Sequence, residues 1–145
     1  MRSAPECLST LVVAFSEEDL IRRPTDLAWS ITEIVCHLRD VEEFYLDRVR
    51  TILTNHDPAL NAFQPDRWAV ERQYRRCLCQ PALDAFVGRR RETLSLLEGL
   101  GEDAWERGGL HPLRGWMTIR RIVHGWAKHD DEHGDQIRRA HEGRP

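Results

Sequence analysis

Three histidines have the type and spacing to do chemistry. His129 and His133 are four residues apart in the stretch Met117 to His141. On an α-helix their imidazoles project the same way, roughly 40° apart around the axis and one turn apart along it. They continue a stripe of Ile119, Ile122, Val123, Trp126 and then Ile137 at steps of three and four, where Ile or Leu is the ordinary occupant. A buried imidazole must satisfy its ring nitrogens. The pair is therefore either half-exposed and hydrogen-bonded to neighbouring carboxylates, or it shares a metal ion.

His37 holds the same kind of position on a second helical stripe, Ile34, His37, Leu38, Val41, Phe44, Tyr45, Arg48 and Ile52. Alone it reads as a core histidine hydrogen-bonded in place; beside the other two it is the third nitrogen of a facial site. Three protein ligands and an open position is the arrangement of catalytic rather than structural zinc. Imidazole also suits nickel, iron and copper, so ligand type does not choose the ion. Asp130, Asp131, Glu132 and Glu33 are candidates to orient the rings from outside, Asp130 and Glu33 foremost. Asp130 follows His129 as the glutamate does in the HExxH proteases, but its shorter arm suits a hydrogen bond better than general-base work.

Helices must position these residues. Ser30 and Glu33 form a capping box that opens a helix from about Ile31 to about Leu53, limited by Asn55 and Pro58. Residues 5–16 carry a short helical pattern, followed by a polar connection containing Pro24. From His56 to Gln80 the pattern weakens between Pro58, Pro65 and Pro81, which predicts a long crossover with one short helix. Residues 82–98 return to helical spacing and stop at Gly99 and Gly101. Arg90 lies on the inward stripe of that helix, reaching a carboxylate or a ligand, or else snorkelling outward. Residues 101–118, with four glycines and Pro112, read as a loop anchored by Trp105 and Trp116, and His111 within it reads as a surface or structural residue. No strand pattern emerges. The expectation is an all-α single domain over 1–145, a four-helix bundle with a long crossover connection.

Composition narrows the function classes. A chain of 145 residues supports one real core. With 21 basic and 24 acidic side chains the formal net charge is -3, which argues against nucleic-acid binding, and Arg89-Arg90-Arg91 has no interleaved aromatics. No apolar run reaches the ~18 residues of a membrane helix, and no charged-then-apolar leader opens the chain, so a soluble cytoplasmic protein is predicted. Cys7, Cys36, Cys77 and Cys79 make no CxxC pair; they read as reduced and structural, with Cys77 and Cys79 open to being exposed thiols.

Three motifs occur in order: WS-x-x-E-x-x-x-HL-x-D from Trp29 to Asp40, HP-x-x-G from His111 to Gly115, and HD-x-EH-x-x-QI from His129 to Ile137. This set resembles the DinB-like, YfiT-type superfamily of metal-dependent enzymes, over Leu27 to Ile137. The resemblance implies a four-helix bundle, often a homodimer, with a divalent metal on the histidines that correspond to His37, His129 and His133. It also implies a small-molecule substrate. Relatives include thiol S-transferases using low-molecular-weight thiols and others described as hydrolases. The expected function is thus a metal-dependent enzyme, with zinc, nickel or iron activating a thiol cosubstrate or water. The alternative is a non-catalytic dimeric metal- or ligand-binding stress-related protein; in either case Phe63 and Trp68 of the crossover are the candidates for an apolar patch at the dimer.

Overall fold

A computed structural model describes residues 1–145. Seven α-helices and one hairpin follow in order: α1 Ala4–Val13, α2 Glu17–Ile21, α3 Ile31–Thr54, α4 Pro65–Glu71, α5 Cys79–Glu98, α6 Glu102–Glu106, strands β1 Gly108–His111 and β2 Gly115–Thr118, and α7 Ile119–His141. Helices α1, α3, α5 and α7 form the four-helix bundle, with α3 packed on both α5 and α7. No helix is long and apolar enough to cross a membrane.

Local chemistry explains the long helices. At the start of α3, Ser30 N–H donates to Glu33 Oε2 at 2.9 Å and Glu33 N–H donates to Ser30 Oγ at 3.3 Å, the reciprocal cap expected from the sequence. Helix α7 starts where Thr118 Oγ1 accepts from Arg121 N–H at 3.2 Å. The inward faces interdigitate in one apolar interior. Ile34, Leu38, Leu83, Phe86 and Ile137 pack together at one end, and Val49, Ile52, Leu97 and Ile122 at the other. Each such side chain contributes on the order of 1.5–3 kcal/mol by leaving water.

The crossover is held down by Asp40, a fully buried carboxylate on α3. Tyr74 Oη donates to it at 2.7 Å, and the guanidinium groups of Arg39 and Arg72 each reach it at 2.8 Å. Burial, followed by the bond to Asp40, pushes the Tyr74 phenol well above its ordinary range, so it stays a donor.

Residues 101–118 depart from the expected loop. They contain α6 and an antiparallel hairpin in which Gly108 faces Thr118 and His111 faces Gly115. Hydropathy misses it because four-residue strands with three glycines show no period-two alternation. The glycines have steric reasons instead. A Cβ on Gly108 would lie 2.6 Å from Met117 O, and one on Gly109 2.7 Å from Pro58 O. Gly115 adopts φ +68 and closes the three-residue turn. The crossover extends the hairpin: Leu60 N–H donates to Leu110 O and Leu110 N–H to Pro58 O, both at 2.9 Å. This ladder carries His111 and the following crossover residues to the face of the bundle where α3 and α7 meet.

Candidate metal centre

The three histidines converge. His37 Nε2 lies 3.1 Å from His129 Nε2, and His133 Nε2 lies 3.0 Å from the same atom. One nitrogen from each ring falls within 4.8 Å of the others. The two short separations are close to the ~3.3 Å edge of a tetrahedron with ~2 Å nitrogen–metal bonds. His37 comes from α3, and the i, i+4 pair from the stripe of α7.

Proton placement shows what this cluster requires. His133 Nδ1 is 2.6 Å from Gln136 Oε1, an atom that can only accept, so the ring proton is on Nδ1 and Nε2 offers a lone pair. His129 Nε2 touches two nitrogens, yet it carries either one proton or one lone pair. Whichever way the remaining protons are arranged, the two contacts cannot both be hydrogen bonds. A single cation accepting all three lone pairs removes that conflict.

Burial, and then mutual repulsion among the rings, pushes His37 down to about 2. Burial and the neighbouring His133 push His129 down to about 3. His133 is lowered too, chiefly by burial, against the opposing bond to Gln136. All three are neutral at pH 7, the state a metal needs. The folded-state pKa values lie below the unfolded value near 6.5, so the metal-free chain keeps this stability above pH 6.5. As pH falls toward 3 the unfolded chain takes up protons that the folded one refuses. Thermal unfolding of chelator-treated protein should therefore show stability declining from pH 6.5 downward, by at most about 1.4 kcal/mol per pH unit for each imidazole. His37→Gln should shallow that slope; an unchanged slope would refute the assignment.

The outer partners differ from those expected. Asp130 turns away from His129 and binds Arg90, with Nη1–Oδ2 at 2.6 Å and Nη2–Oδ1 at 3.0 Å. Glu33 is held by the Ser30 amide and by Arg23 Nε at 2.8 Å. Asp131 and Glu132 are exposed. The Nδ1 atoms of His37 and His129 are consequently buried without a hydrogen-bond partner, and Gln136 is the one side chain that orients a ring in the cluster. Arg90 reaches carboxylates, the first of the alternatives its position allowed, because α5 places it between Glu42 on α3 and Asp130 on α7.

The histidines open into a cavity of about 440 Å³. Trp29, Tyr45 and Phe63 supply its aromatic lining, with Phe63 5.6 Å from the His37 ring and Trp29 5.0 Å. Phe63 thus faces the site. His111, read from the sequence as a surface or structural residue, is buried and lines the same cavity because the hairpin folds it inward. Its Nδ1 accepts from Leu113 N–H at 3.1 Å, which leaves Nε2 carrying the proton as a donor. Arg48 and Arg114 also line it, and spacing alone marked Arg48 only as one inward position among eight. The signal for His111 lay in its motif with Pro112 and Gly115, residues that turn a hairpin. Cys79 proves buried and Cys7 exposed, and all four thiols are free.

Relatives point the same way. A protein of Oceanobacillus iheyensis named "Putative metal-dependent hydrolase" is 23% identical over 126 residues, covering 87% of this chain and 72% of its own. One of Geobacillus thermodenitrificans with the same description is 27% identical over 107 residues, covering 74% of this chain and 60% of its own. The structure of YfiT from Bacillus subtilis, described as a probable metal-dependent hydrolase with an unusual four-helix bundle topology, superposes with a TM-score of 0.88. It shares 20% identity and covers 95% of this chain and 79% of that one. The sequence profile of the DinB superfamily runs from residue 1 to 137, across the bundle and all three histidines, and the chain belongs to that superfamily.

Proposed function

We propose that the protein is a divalent-metal-dependent enzyme acting on a small molecule, with His37, His129 and His133 as the metal ligands. The observation that carries this is the mutual approach of three neutral Nε2 atoms beside an accessible cavity. A divalent cation there supplies Lewis acidity, lowering the pKa of water, or of a thiol, into the neutral range. The chain's own groups do the remainder. Gln136 fixes the orientation and tautomer of His133. Trp29, Tyr45 and Phe63 exclude bulk water around the reacting group and offer an apolar wall. His111 Nε2–H donates toward whatever occupies the cavity.

Hydrolysis is the favoured chemistry, in line with the descriptions of the Oceanobacillus and Geobacillus relatives. Transfer to a thiol uses the same centre with a different nucleophile. The test is elemental analysis of purified protein, followed by turnover of ester, amide and electrophile panels with and without added low-molecular-weight thiol. The expected result is about one metal per chain and turnover that stops on chelation and returns on reloading. Turnover only with thiol would make the enzyme a transferase. Metal absent even after reloading would overturn the proposal.

A further inference from the structure

The cavity beside the three histidines holds a positive charge that the chain does not neutralise. Arg48 lies on α3, eleven residues after His37, and eleven steps of about 100° return to within about 20° of the same helix face. Side chains lean toward the N-terminus of their helix, which tips Arg48 back toward the histidines. The residue is only 7% exposed. Nη2 donates to the carbonyl of Asn61, Nε is buried with no partner, and no carboxylate oxygen comes within 4.0 Å of the guanidinium.

The nearest acids on α3 do not pair with it, although they line a neighbouring cavity that Arg48 also borders. Glu43 pairs with Arg89 at 2.7 Å and Arg72 at 3.3 Å, and Asp47 faces Arg50. Phe44 lies under the guanidinium at 4.4 Å from its ring centroid and Tyr45 at 5.4 Å, and neither cancels a full charge. Arg90 provides the internal comparison: fully enclosed where Arg48 keeps a small exposed edge, it holds two carboxylates. Burying an unpaired charge is costly, and a guanidinium so placed calls for an anion.

The rest of the cavity agrees. None of its 13 lining residues is Asp or Glu, whereas Arg114 and the Nε2–H of His111 add a charge and a donor. Trp29 and Phe63 offer an apolar face to the body of a ligand. We propose that the cavity takes a small substrate bearing a carboxylate, held by the Arg48 fork, with its reactive group directed at the histidine cluster. This rests on the metal-enzyme reading for the reaction, though not for the binding. Arg114 is exposed and screened by water, so the one buried guanidinium sets the balance for a monoanion, and its planar fork matches a carboxylate.

Calorimetric titration with benzoate, its neutral isostere benzamide and phenylphosphonate tests the assignment, on zinc-loaded and on chelator-treated protein. Loss of a charge-assisted pair predicts that benzoate binds about tenfold or more tightly than benzamide, and that Arg48→Met erases this preference. Arg48→Lys should keep part of it. Benzoate no tighter than benzamide, an intact preference in Arg48→Met, or phenylphosphonate bound well above benzoate would each overturn the proposal. Should Arg48→Met fail to fold by circular dichroism, the wild-type comparison and Arg48→Lys decide. Elemental analysis of the same samples separates the two readings. Protein that takes up no zinc yet keeps the Arg48-dependent preference supports this inference and removes the metal; zinc-loaded protein without the preference does the reverse.

Discussion

His129→Ala is expected to weaken divalent-metal binding by at least about 100-fold, more than the loss of an outer-sphere partner costs, while the bundle remains folded. In the proposed site His129 is central: its Nε2 is the atom that approaches both His37 and His133. Without it the two remaining nitrogens belong to different helices and leave the cation with too few ligands to displace its water. Metal bound to the native state alone contributes RT ln(1 + [L]/Kd), about 4 kcal/mol at a thousandfold excess over Kd. Wild-type protein should therefore lose thermal stability on chelation, and His129→Ala should be indifferent to it. Elemental analysis after dialysis against zinc, with calorimetry before and after chelator, reads both quantities. His124→Ala, an exposed histidine on the same helix, is the control and should retain full loading. A His129→Ala chain that still carries one tightly held ion would end the three-histidine assignment.

The second large effect concerns stability. Arg90→Met should cost about 3–5 kcal/mol, because it strands two buried carboxylates. Arg90 Nε and Nη2 donate to Glu42 Oε2 at 2.8 and 2.5 Å, and its Nη1 and Nη2 reach Asp130 at 2.6 and 3.0 Å. Thr93 Oγ1 donates to the other Glu42 oxygen at 2.7 Å. Arg90 and Glu42 are fully enclosed and Asp130 is 5% exposed, so water cannot replace the lost donors. Burial already holds the Glu42 carboxyl above its ordinary range against the pull of Arg90. For a chain of this length such a loss lowers Tm by roughly 10–15 °C. The deficit should shrink under acid, as the stranded carboxylates take up protons, and in the triple substitution with Glu42→Gln and Asp130→Asn. Thermal melts across pH measure it; a deficit that does not change with pH would show that packing, not charge, sets the cost.

Helix signals were strong in this sequence wherever chemistry was local. The Ser30–Glu33 box and the three-and-four stripes of α3, α5 and α7 are short-range rules, and each helix forms where its stripe lies. The motifs around His37, His111 and His129 resembled the DinB superfamily, to which the chain belongs. The strands of the hairpin, unlike its turn, were invisible because their evidence is negative. Gly108 and Gly109 matter for the atoms they lack, and those clashes arise with Met117, Pro58 and Leu60 only after the chain has folded.

The sequence by itself determined that three imidazoles replace aliphatic residues on two helical stripes, since periodicity and side-chain type need no neighbours to be read. Tertiary structure alone decided which groups those stripes meet. Asp130, next in sequence to His129, turns to Arg90 because a helix sends consecutive residues about 100° apart, and a buried guanidinium lies on that side. His111 and Phe63 enter the cavity because a backbone ladder between the crossover and the hairpin brings them there. Arg48 is left without an anion because the packing of α5 and the crossover gives Glu43 to other arginines. Partner choice depends on distances across the fold, which no local pattern encodes.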